Sequence, residues 1–88
     1  MHNNTSQNRF ELEVNGHTAY ADYKIENGIL HIKYVFAPTE LRGTGAAGNL
    51  MQQVMEHARA QNYKVIPICG YAASWIQRKK EFNDILAI

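Results

Sequence analysis

Cysteine is nearly absent from this 88-residue chain: Cys69 stands alone, so no disulfide forms within it and a two-thiol redox cycle is excluded. Charge of one sign is missing too. Nine basic residues stand against eight acidic ones and leave a formal charge of +1, spread along the chain without the basic stripe of a nucleic-acid binder. Neither a charged-then-apolar leader nor a long apolar run is present, which predicts a soluble, reducing, cytoplasmic setting with no membrane partner. His17, His31 and His57 lack metal-ligand spacing with one another or with Cys69, so no metal is expected. What is present is apolar content of 45%, enough for one small core and one domain. That domain is expected over residues 9–88, behind a polar, flexible tail at residues 1–8, with the monomer favoured. Asn4-Thr5-Ser6 in this tail has the form of a glycosylation acceptor, read as chance without a secretion signal.

Two Asn-Gly pairs organise the first half. Asn15-Gly16 and Asn27-Gly28 lie between strand-like runs, and both residue types tolerate the positive φ of tight two-residue hairpins. Three antiparallel strands follow. Phe10, Leu12 and Val14 alternate with acidic residues in the first, and His17 to Glu26 alternates less cleanly in the second. In the third, Leu30, Ile32, Tyr34 and Phe36 form one face and His31, Lys33 and Val35 the other.

From Ala46 the period changes. Ala47, Leu50, Met51, Val54 and Ala58 form an apolar stripe opposite Asn49, Gln52, Gln53, Glu56 and Arg59, which predicts an amphipathic helix to Ala60 with Asn62 as a left-handed stop. Gly48 lowers helix propensity and points to a close approach by a strand or ligand. Val65, Ile66 and Ile68 form a short strand, and the order strand, helix, strand implies a parallel pair. Two short helices should complete the chain from Tyr71, with Ala72, Trp75, Ile76, Phe82, Ile85 and Leu86 inward and Lys79 and Lys80 at the break.

Between the third strand and the helix lies Arg42-Gly43-Thr44-Gly45-Ala46-Ala47. Its glycines let a ligand reach the backbone, and the unpaired amides of a starting helix, its dipole and the Arg42 guanidinium all favour phosphate. Parallel strands ending near Ala37 and Cys69 would bring Cys69 to face this loop, at the sheet edge where α/β proteins place ligands. Pro67, unable to donate a ladder bond, is expected to loosen that pairing and open a gap.

The same run resembles the Arg/Gln-x-x-Gly-x-Gly/Ala signature with which GNAT N-acetyltransferases bind acetyl-coenzyme A, and Pro38 and Leu41 also suit it. With Pro67-Ile68-Cys69-Gly70-Tyr71, Trp75, Arg78 and Glu81-Phe82-Asn83-Asp84, the chain is similar to minimal GNAT domains of the YjdJ-like group, from Tyr34 to Leu86. The resemblance implies an α/β, GNAT-like fold: three antiparallel strands, an amphipathic helix, a fourth strand parallel to the third, and short C-terminal helices. It also implies acetyl-coenzyme A as cosubstrate. Arg42, Gly43, Thr44, Gly45, Ala46 and Ala47 would hold the pyrophosphate, and the backbone of Phe36 and Ala37 would pair with the pantetheine arm. The chain departs from its relatives at Tyr34, Val35 and Phe36, where they often carry His or Thr, and at Lys79-Lys80, where they tend to have His-Pro.

The activity so implied is acetyl transfer to an amine of a small molecule or protein. Cys69 is a candidate acyl relay, its thiolate favoured by a following helix start, although a structural thiol is the plainer reading. Tyr71 is a weaker candidate, as acid toward the departing thiolate, and Glu40 a candidate base that is more simply a solvated charge. Two other classes of function remain: a coenzyme A-binding module without catalysis, and a redox protein pairing Cys69 with a partner thiol.

Overall fold

In the computed structural model, which describes residues Met1–Ala87, five strands form one sheet in the order β1-β2-β3-β4-β5. They are β1 (His2–Asn4), β2 (Arg9–Val14), β3 (His17–Glu26), β4 (Ile29–Phe36) and β5 (Lys64–Pro67). The first four pair antiparallel, and β5 runs parallel to β4. Helix α1 (Ala46–Ala60) makes the crossover, and helix α2 (Gly70–Gln77) follows β5. Short 3-10 segments cover Thr39–Leu41 and Lys80–Ile85. No helix among the described residues is long and apolar enough to cross a membrane.

Both Asn-Gly turns form as their sequence predicts, with positive φ at all four residues: 52° at Asn15, 79° at Gly16, 54° at Asn27 and 76° at Gly28. Asn62 also stops α1 in the left-handed region, at φ 61°, and the Tyr63 amide returns to the Ala58 carbonyl at 2.9 Å.

The N-terminal segment departs from the expected tail, and the sheet gains a strand by it. His2–Asn4 pairs with Arg9–Glu11, and Asn8 closes the connecting turn at φ 51°. The segment is polar because an edge strand needs backbone pairing more than apolar side chains. Its side chains still attach: the Tyr23 hydroxyl donates to Asn3 Oδ1 at 2.7 Å, and Asn4 Nδ2 donates to Glu11 Oε2 at 3.2 Å.

One core unites the sheet with both helices. Phe10, Ala19, Ala21, Leu30 and Ile32 meet Leu50, Met51, Val54 and Met55 of α1 and Ala72, Trp75 and Ile76 of α2. Ala46, rather than Ala47, starts the buried stripe of α1. Gly48 does meet a close neighbour, though it is the side chain of Trp75 in α2 and not a strand.

A bulge corrects the expected faces of β4. Ile32 pairs with Tyr23 and Tyr34 with Asp22, so Lys33 is an extra residue with no partner of its own. Leu30 and Ile32 face the core before it, whereas Val35 and Ala37 pack against the core after it. Tyr34 and Phe36 are thereby turned onto the other face, where their ring centroids lie 6.4 Å and 5.2 Å from that of Tyr20.

Candidate functional site

The β4–β5 ladder ends at the pair Ile32 and Pro67. Pro67 is not what ends it. Lys64 and Ile68 direct their amides to the Gly28 and Ile32 carbonyls at 3.0 and 2.9 Å, so the intervening odd-numbered nitrogen of Pro67 faces away from β4 and costs no rung. Two other features end the pairing: the bulge at Lys33 re-aims β4, and the chain after Ile68 turns into α2 at Gly70. The strand stops at Pro67, and Ile68 beyond it is 60% exposed.

Past this point β4 lacks its parallel partner, and a cavity of about 410 Å³ opens. Its β4 side is lined by Tyr34, Val35, Phe36 and Ala37. The opposite side is built from Leu41, Arg42, Gly43, Gly45, Ala46 and Ala47, and Tyr71 of α2 completes the wall.

The loop owes its shape to two left-handed residues. Gly43 and Gly45 both have φ 82°, and Gly45 is the N-cap of α1. At neither would a Cβ meet any atom within 4 Å, so the glycines serve the backbone turn and leave open space beside it. Thr44 braces the loop from within: its hydroxyl donates to the Leu41 carbonyl at 2.5 Å and accepts from the Ala46 amide at 3.3 Å. Among the described residues, the amides of Gly43, Gly45, Ala47 and Gly48 have no hydrogen-bond acceptor. Four free N–H groups, the positive end of a 15-residue helix and a guanidinium form a cradle suited to phosphate oxygens. The Arg42 side chain is steadied by a long contact of 3.4 Å from Nε to the Ala37 carbonyl.

Most of the residues read from the sequence as cofactor-binding thus come together: Phe36, Ala37, Arg42, Gly43, Gly45, Ala46 and Ala47 all line one cavity. Thr44 instead supports their backbone. Of the two catalytic candidates, Tyr71 lines the cavity and is 40% exposed. Cys69 is not among the lining residues. It is the N-cap of α2, half-buried against the core, with its amide donating to the Ile32 carbonyl at 3.1 Å. Glu40 lies outside the cavity, its carboxylate 3.9 Å from His17 Nδ1. Tyr34 and Val35 also line the wall, a placement hidden by the regular alternation of their run, which conceals the bulge that turns them.

A parallel pair that splays, with a glycine loop and helix start at the mouth of the splay, makes an α/β fold whose open cleft is suited to a phosphate-bearing ligand. Comparison makes this specific. Residues 9–85 match the GCN5-related N-acetyl-transferase family. The chain is also similar to a GCN5-like candidate N-acetyltransferase from Staphylococcus aureus, whose structure was determined in solution by NMR. The two share 28% identity at a TM-score of 0.73, over 90% of this chain and 80% of that one. The protein belongs to the GCN5-related N-acetyltransferase family, and it is an acyltransferase of that type.

Proposed function

We propose that the protein binds acetyl-coenzyme A in the cavity between β4, the 42–47 loop and Tyr71, and transfers the acetyl group to an amine of a small molecule or protein. One observation carries this: unpaired β4 backbone and unpaired loop amides line a single continuous cavity. The first suits the amide-bearing arm of the cosubstrate, the second its diphosphate. The residues present therefore suit the arm and the diphosphate of the group.

Transfer is then direct. The acceptor nitrogen attacks the thioester carbonyl carbon; the new C–N bond forms, the C–S bond breaks, and the nitrogen gives up its proton to water. Tyr71 supports the step as the hydroxyl on the cavity wall able to donate a proton to the departing thiolate. Val35, Leu41 and Ala46 give the wall an apolar lining that limits competing water.

A thermal-shift comparison tests the donor. Acetyl-coenzyme A and coenzyme A should raise the melting temperature in proportion to the logarithm of their concentration, and simple nucleotides should not. Absence of any shift with acetyl-coenzyme A overturns the proposal. Binding without transfer to any of a panel of amines would leave a coenzyme A-binding module in its place.

A further inference from the structure

We infer that the indole N–H of Trp75 is a further donor of this site, supplied by α2 to a phosphate oxygen of the ligand held at the start of α1. Trp75 is 6% exposed, and Nε1 is its one polar side-chain atom. Among the described residues Nε1 has no hydrogen-bond partner, an unusual condition for so buried an indole. It nevertheless reaches solvent, since no fully buried side-chain nitrogen or oxygen among those residues lacks a partner.

The place where it does so is specific. A Cβ added to Gly48 would lie 3.5 Å from Nε1, so the unpaired N–H borders the first turn of α1, where the Gly48 amide is itself free. Glycine in a helix is unfavourable, and here it keeps the space beside the indole clear. The ring is fixed in that place: it stacks on Phe82 with centroids 6.1 Å apart, and Lys79 Nζ lies 5.5 Å from its centroid. Tyr71 and Trp75 are one turn apart on α2, so one helix face brings the first to the cavity and the second beside Gly48 in the first turn of α1. The indole N–H can donate but not accept, which suits it to an anionic oxygen.

This assignment presupposes coenzyme A binding as proposed above. Trp75 is the sole tryptophan, so biosynthetic replacement with 3-benzothienylalanine exchanges its N–H for sulfur at one position while keeping the bicyclic shape. Calorimetry with coenzyme A, 3′-dephospho-coenzyme A and pantetheine then isolates the bond. Coenzyme A should bind about tenfold more weakly, the usual order for a lost hydrogen bond to a charged group, and pantetheine, which lacks phosphate, should be unaffected. A loss that persists with the dephospho form assigns the diphosphate as acceptor; a loss confined to coenzyme A assigns the 3′-phosphate. Trp75→Phe should reproduce the pattern, with thermal midpoints reporting any separate packing defect. Equal coenzyme A affinity in the benzothienyl protein, or equal weakening of pantetheine, overturns the inference and leaves the proposed function standing. Failure of the unaltered protein to bind coenzyme A overturns both.

Discussion

The carbonyl oxygen of Ile32 accepts the amide of Ile68 at 2.9 Å and, at 3.1 Å, that of Cys69 as well. This shared acceptor is where β4 and β5 part. Beyond it β4 runs along the cavity, and before it β4 and β5 form an ordinary parallel ladder.

Because Arg42 holds only a long bond to Ala37 and is exposed, removing its guanidinium should leave the fold intact. Arg42→Ala is expected to keep the melting temperature and to weaken coenzyme A binding about tenfold, measured by calorimetry, through loss of a charge-assisted contact. Unchanged affinity would remove Arg42 from the cradle.

The glycines of this region should answer alanine in opposite senses. Gly45→Ala forces a side chain into φ 82° and should cost about 1–2 kcal/mol in denaturant unfolding. Gly48→Ala sits at a helical residue, where the new methyl meets Trp75 at an ordinary 3.5 Å, and should stabilise by up to about 1 kcal/mol.

Direct transfer predicts that Cys69→Ser retains turnover with any amine the protein acetylates. Intact-mass spectrometry after brief exposure to acetyl-coenzyme A should show no acetyl group on Cys69. An acetylated thiol together with an inactive serine variant would replace the direct route by a relay through Cys69.

Burial raises the pKa of Tyr23 above its ordinary value of 10.0. The folded state thus keeps a proton that the unfolded state releases. Stability from this residue is complete below pH 10 and falls as pH rises toward and through the folded pKa. Melting temperatures from pH 8 to 11 should therefore decline less steeply in Tyr23→Phe, which also loses about 1 kcal/mol at neutral pH with its bond to Asn3.

The glycine loop, both Asn-Gly turns, the Asn62 stop and the parallel return of β5 were legible because each rests on local chemistry: a positive φ, a free helix end, a change of period. Two features were not. Strand β1 is held by backbone pairing to β2, and polar residues at an edge leave no apolar rhythm to read. The bulge at Lys33 follows from how β3 and β4 meet, a relationship between distant segments, so the run from Leu30 to Phe36 looks uniformly alternating. The role expected of Pro67 failed for a related reason. Which edge of a strand a proline faces depends on register, and register is settled by the partner.

The odd residue in β4 makes strand length, counted one residue at a time, a determinant of activity. Lengthening β3 by one residue opposite Lys33 would give that residue a partner, restore strict alternation along β4, turn Tyr34 and Phe36 inward and expel Val35 and Ala37. The cleft wall would be rebuilt with every residue of the glycine loop still in place, so members of such a lineage could fall silent through a single codon gained in a neighbouring strand.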